Sequence, residues 1–207
     1  MQCVKTLIFD FGGVIINLKT EQEWLEEDLL PNFYPEQLQA LQQQGLFQEI
    51  ETGKISAEEF IQQLKSIAIN KSISDEEIIR HWNGILKDIP KYRLDLLNEL
   101  KKKYKLILLS NTNHIHKEKF CHDMIRKFGE DILEANFDTV YYSHNIGLRK
   151  PHKEIYEFIL QKDCLNAEAC IFFDDRNENL IEPEKLGIQT ILVEFNSLNE
   201  HTLHQLL

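Results

Sequence analysis

Leu7-Ile8-Phe9-Asp10-Phe11-Gly12-Gly13-Val14 is the stretch on which the fold turns. Apolar and aromatic residues run without interruption into an aspartate, which is how a strand covered on both faces reads. The two glycines that follow let the backbone approach a ligand closely. Asp10 therefore stands at the carboxyl end of a buried strand, where open α/β sheets place their ligands. The same letters also spell an ordinary strand-to-turn transition, so the rest of the chain decides between the two.

Working outward, further short apolar runs lie at residues 105–110, 137–142, 170–174 and 189–194, beside the first at 4–10, and helical patterns separate them. That alternation predicts an α/β fold, a Rossmann-like doubly wound parallel sheet with crossover helices. The interval between the first two runs is too long for one crossover and is helical throughout. Inside it, Ser56-Ala57-Glu58-Glu59 and Ser74-Asp75-Glu76-Glu77 spell capping boxes. Apolar residues at helical spacing follow each box, Phe60, Ile61 and Leu64 in one case and Ile78, Ile79 and Trp82 in the other. Trp24 to Leu30 and Pro35 to Ile50 fit the same mode, and Pro90 starts a helix whose Leu94, Leu97 and Leu100 return to the sheet. The expected division is a core of residues 1–16 and 89–207 with an inserted α-helical cap at 17–88.

Composition narrows the function classes. With 207 residues, 43% of them hydrophobic and 28% charged, the chain can bury one full core plus a modest insertion. A net charge of −11, from 34 acids against 23 Lys and Arg, argues against a nucleic-acid partner and suits small ligands. Lys101-Lys102-Lys103 reads as the solvated end of a helix, where cations favour the dipole. Cys3, Cys121, Cys164 and Cys170 have no metal-ligand spacing, and no signal peptide or membrane-spanning run is evident. A cytoplasmic protein with no membrane partner is the expectation.

Three more polar segments fall at or just beyond the ends of later strands: Leu108-Leu109-Ser110-Asn111-Thr112-Asn113, Gly147-Leu148-Arg149-Lys150-Pro151 and Phe172-Phe173-Asp174-Asp175-Arg176 with Asn179 beyond. Each has a plain structural reading, as a helix cap, a surface cation or a turn. Together they bring a nucleophile, a hydroxyl, a fixed cation and a metal-binding acid to one point, the parts phosphoryl transfer requires.

In these four motifs the chain resembles the haloacid dehalogenase superfamily, in its branch with a helical cap after the first strand. Asp10-Phe11-Gly12-Gly13-Val14, Glu51-Thr52-Gly53-Lys54-Ile55-Ser56, Leu109-Ser110-Asn111-Thr112-Asn113 and Asp174-Asp175-Arg176 look most like a bacterial subgroup that includes glucose-1-phosphatases. The resemblance implies a Mg²⁺-dependent phosphatase of small phosphorylated metabolites, sugar phosphates among them. Asp10 would attack phosphorus and form an aspartyl-phosphate. Ser110, Asn111 and Lys150 would hold phosphate oxygens. Asp10, the Gly12 carbonyl and Asp175 would hold Mg²⁺. Asp174 is implied as a supporting or weaker ligand, and Asn179 as a residue that orients a water or Lys150.

The departure from the family pattern is Gly12, which stands where an aspartate usually protonates the leaving group and later activates water. Losing acid–base catalysis costs about 10² to 10⁴ in rate. His114, His116 and His144 are candidate replacements, each with a plain reading as a structural histidine; Asn17 occupies a further flap position where relatives often carry an acid. Trp24, Phe33, Tyr34 and Trp82 are candidate substrate covers or cap core. Rival readings are a catalytically weakened ligand-binding module, a hydrolytic dehalogenase, for which Asp175 would be superfluous, and a phosphomutase, which would need the missing base.

Overall fold

The computed structural model describes residues 4–203 and 206; Cys3 lies outside them. Five parallel strands, β1 (Thr6–Phe9), β2 (Lys105–Ser110), β3 (Thr139–Tyr142), β4 (Cys170–Asp174) and β5 (Gln189–Leu192), form one sheet in the order β3-β2-β1-β4-β5. Chain order runs outward on both sides of β1, so the sheet reverses direction between β1 and β4, which is where doubly wound sheets open a crevice.

Alternation along each strand builds the two faces. Leu7, Phe9, Leu106, Leu108, Ile171 and Phe173 point to one side, packed under the helices Lys91–Lys101 and His114–Phe128. Ile8, Ile107, Leu109, Cys170 and Phe172 point to the other, against Ile155, Tyr156 and Ile159 of the helix Lys153–Lys162. Phe9 stacks on Phe173 at 4.7 Å with an interplanar angle of 8°, which fixes the side-by-side register of β1 and β4. With Phe9 paired to both Leu108 and Phe173, the ends of the three central strands are level, and Asp10, Ser110 and Asp174 emerge at one edge.

Between β1 and β2 the chain is helical. Both capping boxes form, Ser56 with Glu59 and Ser74 with Glu77, each side chain bonded to the other residue's backbone N–H. Trp24, Phe47, Phe60 and Trp82 make an aromatic cluster inside a separate apolar core. Two segments depart from the expected helices. Glu21–Trp24 runs into a π-helical turn at Leu25–Leu29, and the stretch from Pro35 breaks into Pro35–Gln43 and Leu46–Glu51 at Gly45, whose φ of 94° no regular helix accepts.

The two connections to the sheet run antiparallel as a ribbon: Lys19 N–H bonds Ile85 C=O, Asn17 N–H bonds Asp88 C=O and Lys87 N–H bonds Asn17 C=O, all at 2.9 Å. Asn196, on the loop after β5, clamps this ribbon, its side chain accepting from Leu18 N–H at 2.9 Å and donating to Leu18 C=O at 2.8 Å. Arg93, 1% exposed, donates to the carbonyls of Ile15, Asn196 and Leu198. A buried guanidinium is tolerated there because several donors are satisfied at once. Among the described residues, no helix is long and apolar enough to cross a membrane.

Candidate active site

At the sheet's carboxyl edge a cavity of about 550 Å³ opens between the strand ends and the helical insertion, and Asp10, Gly12, Ser110, Lys150 and Asp175 line it. Lys150, 1% exposed, is the centre of its polar floor. Its Nζ lies 2.6 Å from Asp10 Oδ1 and 2.7 Å from Asp174 Oδ2, above the ring of Phe172. Burial disfavours the ammonium, but Asp10 and Asp174 outweigh it and hold the lysine charged.

Asn111 places this lysine: its Oδ1 accepts from Lys150 N–H and its Nδ2 donates to Lys150 C=O, both at 2.9 Å. The Asn111 amide is thus occupied by the Lys150 backbone and sets the position of that residue. Ser110 is buried at the end of β2 and reaches the cavity beside it. The loop that follows is braced from β3. Ser143 Oγ bonds both backbone groups of Thr112, and His144 Nδ1 donates to the Thr112 carbonyl at 3.1 Å.

The two adjacent aspartates are unlike. Asp174 is 0% exposed, and both its oxygens are saturated by Lys150, Arg176 N–H and Asn179 Nδ2. Asn179 therefore orients Asp174, one residue removed from the lysine it was expected to touch. Asp175 turns into the cavity instead. It is approached closely by the turn after β1, since a Cβ on Gly13 (φ 71°) would sit 2.6 Å from Asp175 Oδ2; only glycine fits there.

Oxygens of Asp10, Asp174 and Asp175 all lie within 4.8 Å of one another. Burial, with Asp174 and Asp175 close by and Lys150 opposing, pushes the Asp10 carboxyl up to about 7. Burial and Asp174 push Asp175 up to about 6. Three carboxylates against one ammonium leave two negative charges, which a divalent cation would balance, and the donors are all hard oxygens. The residues present thus fit Mg²⁺, with Asp10 and Asp175 as the carboxylates not saturated by protein donors.

The space beside Gly12 is taken by a neighbour. A Cβ built on Gly12 would meet only Leu18, 2.8 Å from Cδ1, so the Leu18 side chain fills the place where an acid would begin. Ile16 and Leu18 line the cavity, while Asn17 between them donates to Asp88 Oδ1 at 3.3 Å. Of the three histidines, His116 alone lines this cavity. Its ring lies flat on Trp82 at 5.3 Å, its Nδ1 is 2.9 Å from Asn83 Oδ1, and burial pushes it down to about 3. His114 and His144 pack edge to face on each other, and burial lowers His144 to about 4. Trp24, Phe33 and Trp82 are buried in the core of the helical insertion, and Tyr34 is exposed; none of the four lines the cavity.

Sequence reasoning missed the ion pair between Glu51 and Arg149, in which Arg149 Nε and Nη2 approach Glu51 Oε2 at 3.0 and 2.9 Å on the cavity wall. Glu51 opened a quoted motif and Arg149 precedes Lys150, but their separation of 98 positions hid the pairing.

A family model described as haloacid dehalogenase-like hydrolase matches residues 4–182. A D-ribitol-5-phosphate phosphatase of Bacteroides thetaiotaomicron is 32% identical over 190 residues, covering 90% of each chain. Among solved structures, a haloacid dehalogenase family enzyme of the same organism in complex with magnesium superposes with a TM-score of 0.86, at 32% identity, over 97% of this chain and 98% of that one. The same enzyme with magnesium and inorganic phosphate gives 0.83 at 32% identity, over 96% and 98%.

Proposed function

The chain belongs to the haloacid dehalogenase-like hydrolases, and we propose that within this family it is a Mg²⁺-dependent phosphatase of a small phosphorylated metabolite, a sugar or polyol phosphate, with residues 17–88 as the cap over the site. The observation that carries this reading is the buried lysine held between Asp10 and Asp174, beside a third carboxylate, on the floor of one cavity. A buried cation beside a free carboxylate oxygen is what an anionic electrophile needs in order to approach a nucleophile. The narrower likeness to glucose-1-phosphatases gives way to a polyol phosphate, because the named relative that covers 90% of the chain is a ribitol-5-phosphate phosphatase.

Phe11 N–H and Lys150 Nζ both engage Asp10 Oδ1, at 2.7 and 2.6 Å, which leaves Oδ2 to attack phosphorus. The bond from Oδ2 to phosphorus forms as the ester P–O bond breaks, and the departing oxygen takes its proton from water, since Gly12 offers none. Water then attacks the aspartyl-phosphate, the P–Oδ2 bond breaks, Asp10 is restored and inorganic phosphate leaves. Ser110 and Lys150 hold the phosphoryl oxygens through both displacements, and Asn111 and Asp174 keep Lys150 in place. Asp10, Asp175 and the Gly12 carbonyl would hold Mg²⁺, which when bound supplies charge neutralisation and phosphate orientation.

The test is phosphate release from a panel of sugar, polyol and aryl phosphates, with and without Mg²⁺, against an Asp10→Asn control. Release that needs both Mg²⁺ and Asp10 is expected. Rates equal to the control on every ester would replace the enzyme with a ligand-binding module.

A further inference from the structure

His116 is a cavity residue to which the reaction above gives no task. Three contacts fix it. Asn113 caps the helix His114–Phe128 by accepting from His116 N–H at 3.0 Å, which sets the backbone. Trp82 stacks flat on the ring, which sets its plane. Asn83 Oδ1 faces Nδ1 at 2.9 Å, which sets the tautomer, because an amide oxygen only accepts and Nδ1 must therefore carry the proton. Burial holds the imidazole neutral around pH 7. What remains is Nε2, a bare acceptor on a ring that lines the same cavity as Asp10 and Lys150.

The cations of the same cavity point to a complementary chemistry. Lys19 is paired with Glu27 at 3.0 Å and with Asp28 at 2.5 Å, Arg149 with Glu51, and Arg176 with Glu178 at 2.6 Å. Lys150 is committed to Asp10 and Asp174. Among the described residues, then, every Lys or Arg lining the cavity already faces a carboxylate. A second phosphate or a carboxylate on the substrate would meet cations whose charge is already offset by carboxylates, whereas a hydroxyl can donate to Nε2 and share the Glu51–Arg149 pair.

We propose that His116 selects the alcohol half of the substrate, its Nε2 accepting a hydrogen bond from one hydroxyl of an uncharged, polyhydroxylated leaving group, in a cavity that disfavours a second anionic group. This rests on the phosphatase reading and deepens it. A site built to hydrogen-bond a hydroxyl discriminates against the analogue without it, because the acceptor is then left buried and unpaired. The imidazole also ties selection to the cap, since Trp82 and Asn83 of the insertion hold the ring that reads the substrate.

The experiment measures kcat/KM for a pentitol 5-phosphate, each of its monodeoxy analogues, the pentitol 1,5-bisphosphate and phenyl phosphate, in wild type and in His116→Phe, whose ring preserves the stack on Trp82. One deoxygenation should cost the wild type about tenfold. His116→Phe should lose about tenfold on the parent relative to phenyl phosphate, and should show no additional penalty on that same deoxy analogue, the non-additivity expected of groups in contact. The bisphosphate should be a poorer substrate than the monophosphate. The proposal is overturned if no single deoxygenation slows the wild type, a result that needs no variant to fold. It is also overturned if the deoxy penalty survives in His116→Phe, if His116→Phe slows phenyl phosphate as much as the pentitol ester, or if the bisphosphate is turned over as well as the monophosphate. Failure of the phosphatase reading looks different: Asp10→Asn would then match wild type on phenyl phosphate as on every other ester.

Discussion

Gly12→Asp should convert the chemistry of this site, and the structure lets the gain and the cost be separated. Gly12 is not among the glycines with positive φ, so an aspartate is conformationally permitted. Its Cβ would meet Leu18 Cδ1 at 2.8 Å and nothing else at such range, and Leu18 is the end of a flexible, half-buried side chain. Moving it off its rotamer costs about 1 kcal/mol, set against a native stability of roughly 5–15 kcal/mol, so the variant folds. The gain appears in rate instead, where a positioned acid–base group contributes about 10² to 10⁴, or roughly 3 to 5 kcal/mol. The new carboxyl would join Asp10 and Asp175, already pushed up to about 7 and about 6, and repulsion from them would keep it protonated and able to donate. The assay is a series of aryl phosphates of graded phenol acidity. Wild type should depend steeply on leaving-group acidity and show a rapid-quench burst of phenol approaching one equivalent, because in the proposed mechanism Gly12 supplies no base to activate water against the aspartyl-phosphate. Gly12→Asp should flatten the dependence and shrink the burst. The double variant Gly12→Asp, Leu18→Ala removes the steric neighbour. If both variants keep the wild-type slope and burst, the missing carboxylate is not what limits this enzyme.

Two further outcomes follow from the charge balance. Asp175→Ala should abolish Mg²⁺-dependent activity and Mg²⁺ binding measured by calorimetry while leaving the fold intact, whereas Asp174→Ala, which strips Lys150 of a buried partner, should lower thermal stability by about 3 kcal/mol or more; exchanged effects would invert their assigned roles, and equal effects would refute the distinction. Because Asp10 and Asp175 have raised values in the folded protein, metal-free stability is fullest near and below the ordinary carboxylate range and is lost as pH rises from about 4 towards about 7, so the rise in melting temperature on adding Mg²⁺ should be larger at about pH 8 than at about pH 5, and a pH-independent rise would refute the crowding account.

How far the sequence was legible depends on how local each cause is. β1, Asp10 and the order of the later polar segments could be read because a strand covered on both faces leaves an unbroken apolar run, and the residue after it is delivered to the sheet edge. The capping boxes could be read because a box spans four positions. The break at Gly45 and the π-helical turn at Leu25–Leu29 could not, since the apolar spacing on either side continues as if the helix did. Arg93 lies among the leucines of an amphipathic helix and would pass for a solvent-facing residue; only the arrival of the Ile15, Asn196 and Leu198 carbonyls, 78 to 105 positions away, makes its burial tolerable. Asn196 likewise has no signal of its own, because the backbone it clamps is 178 positions distant.

His116 carries the same lesson into the chemistry. As a letter three places beyond Asn113 it was a candidate for the acid that Gly12 lacks. In the folded chain Nδ1–H donates to Asn83 Oδ1 and the neutral ring's Nε2 has no proton to give, so the acid function has not moved to this ring. Among the described residues that line the cavity, then, His116 is an acceptor suited to an alcohol and not a group that protonates it. Recognition of this kind stabilises the bound ester and its transition state alike, which lowers KM without raising kcat. For the ester of a primary alcohol, where the departing oxygen most needs a proton, this architecture implies tight binding and slow turnover. In the proposed mechanism, the gap between that rate and the rate with an activated aryl ester measures what a carboxylate at position 12 would contribute.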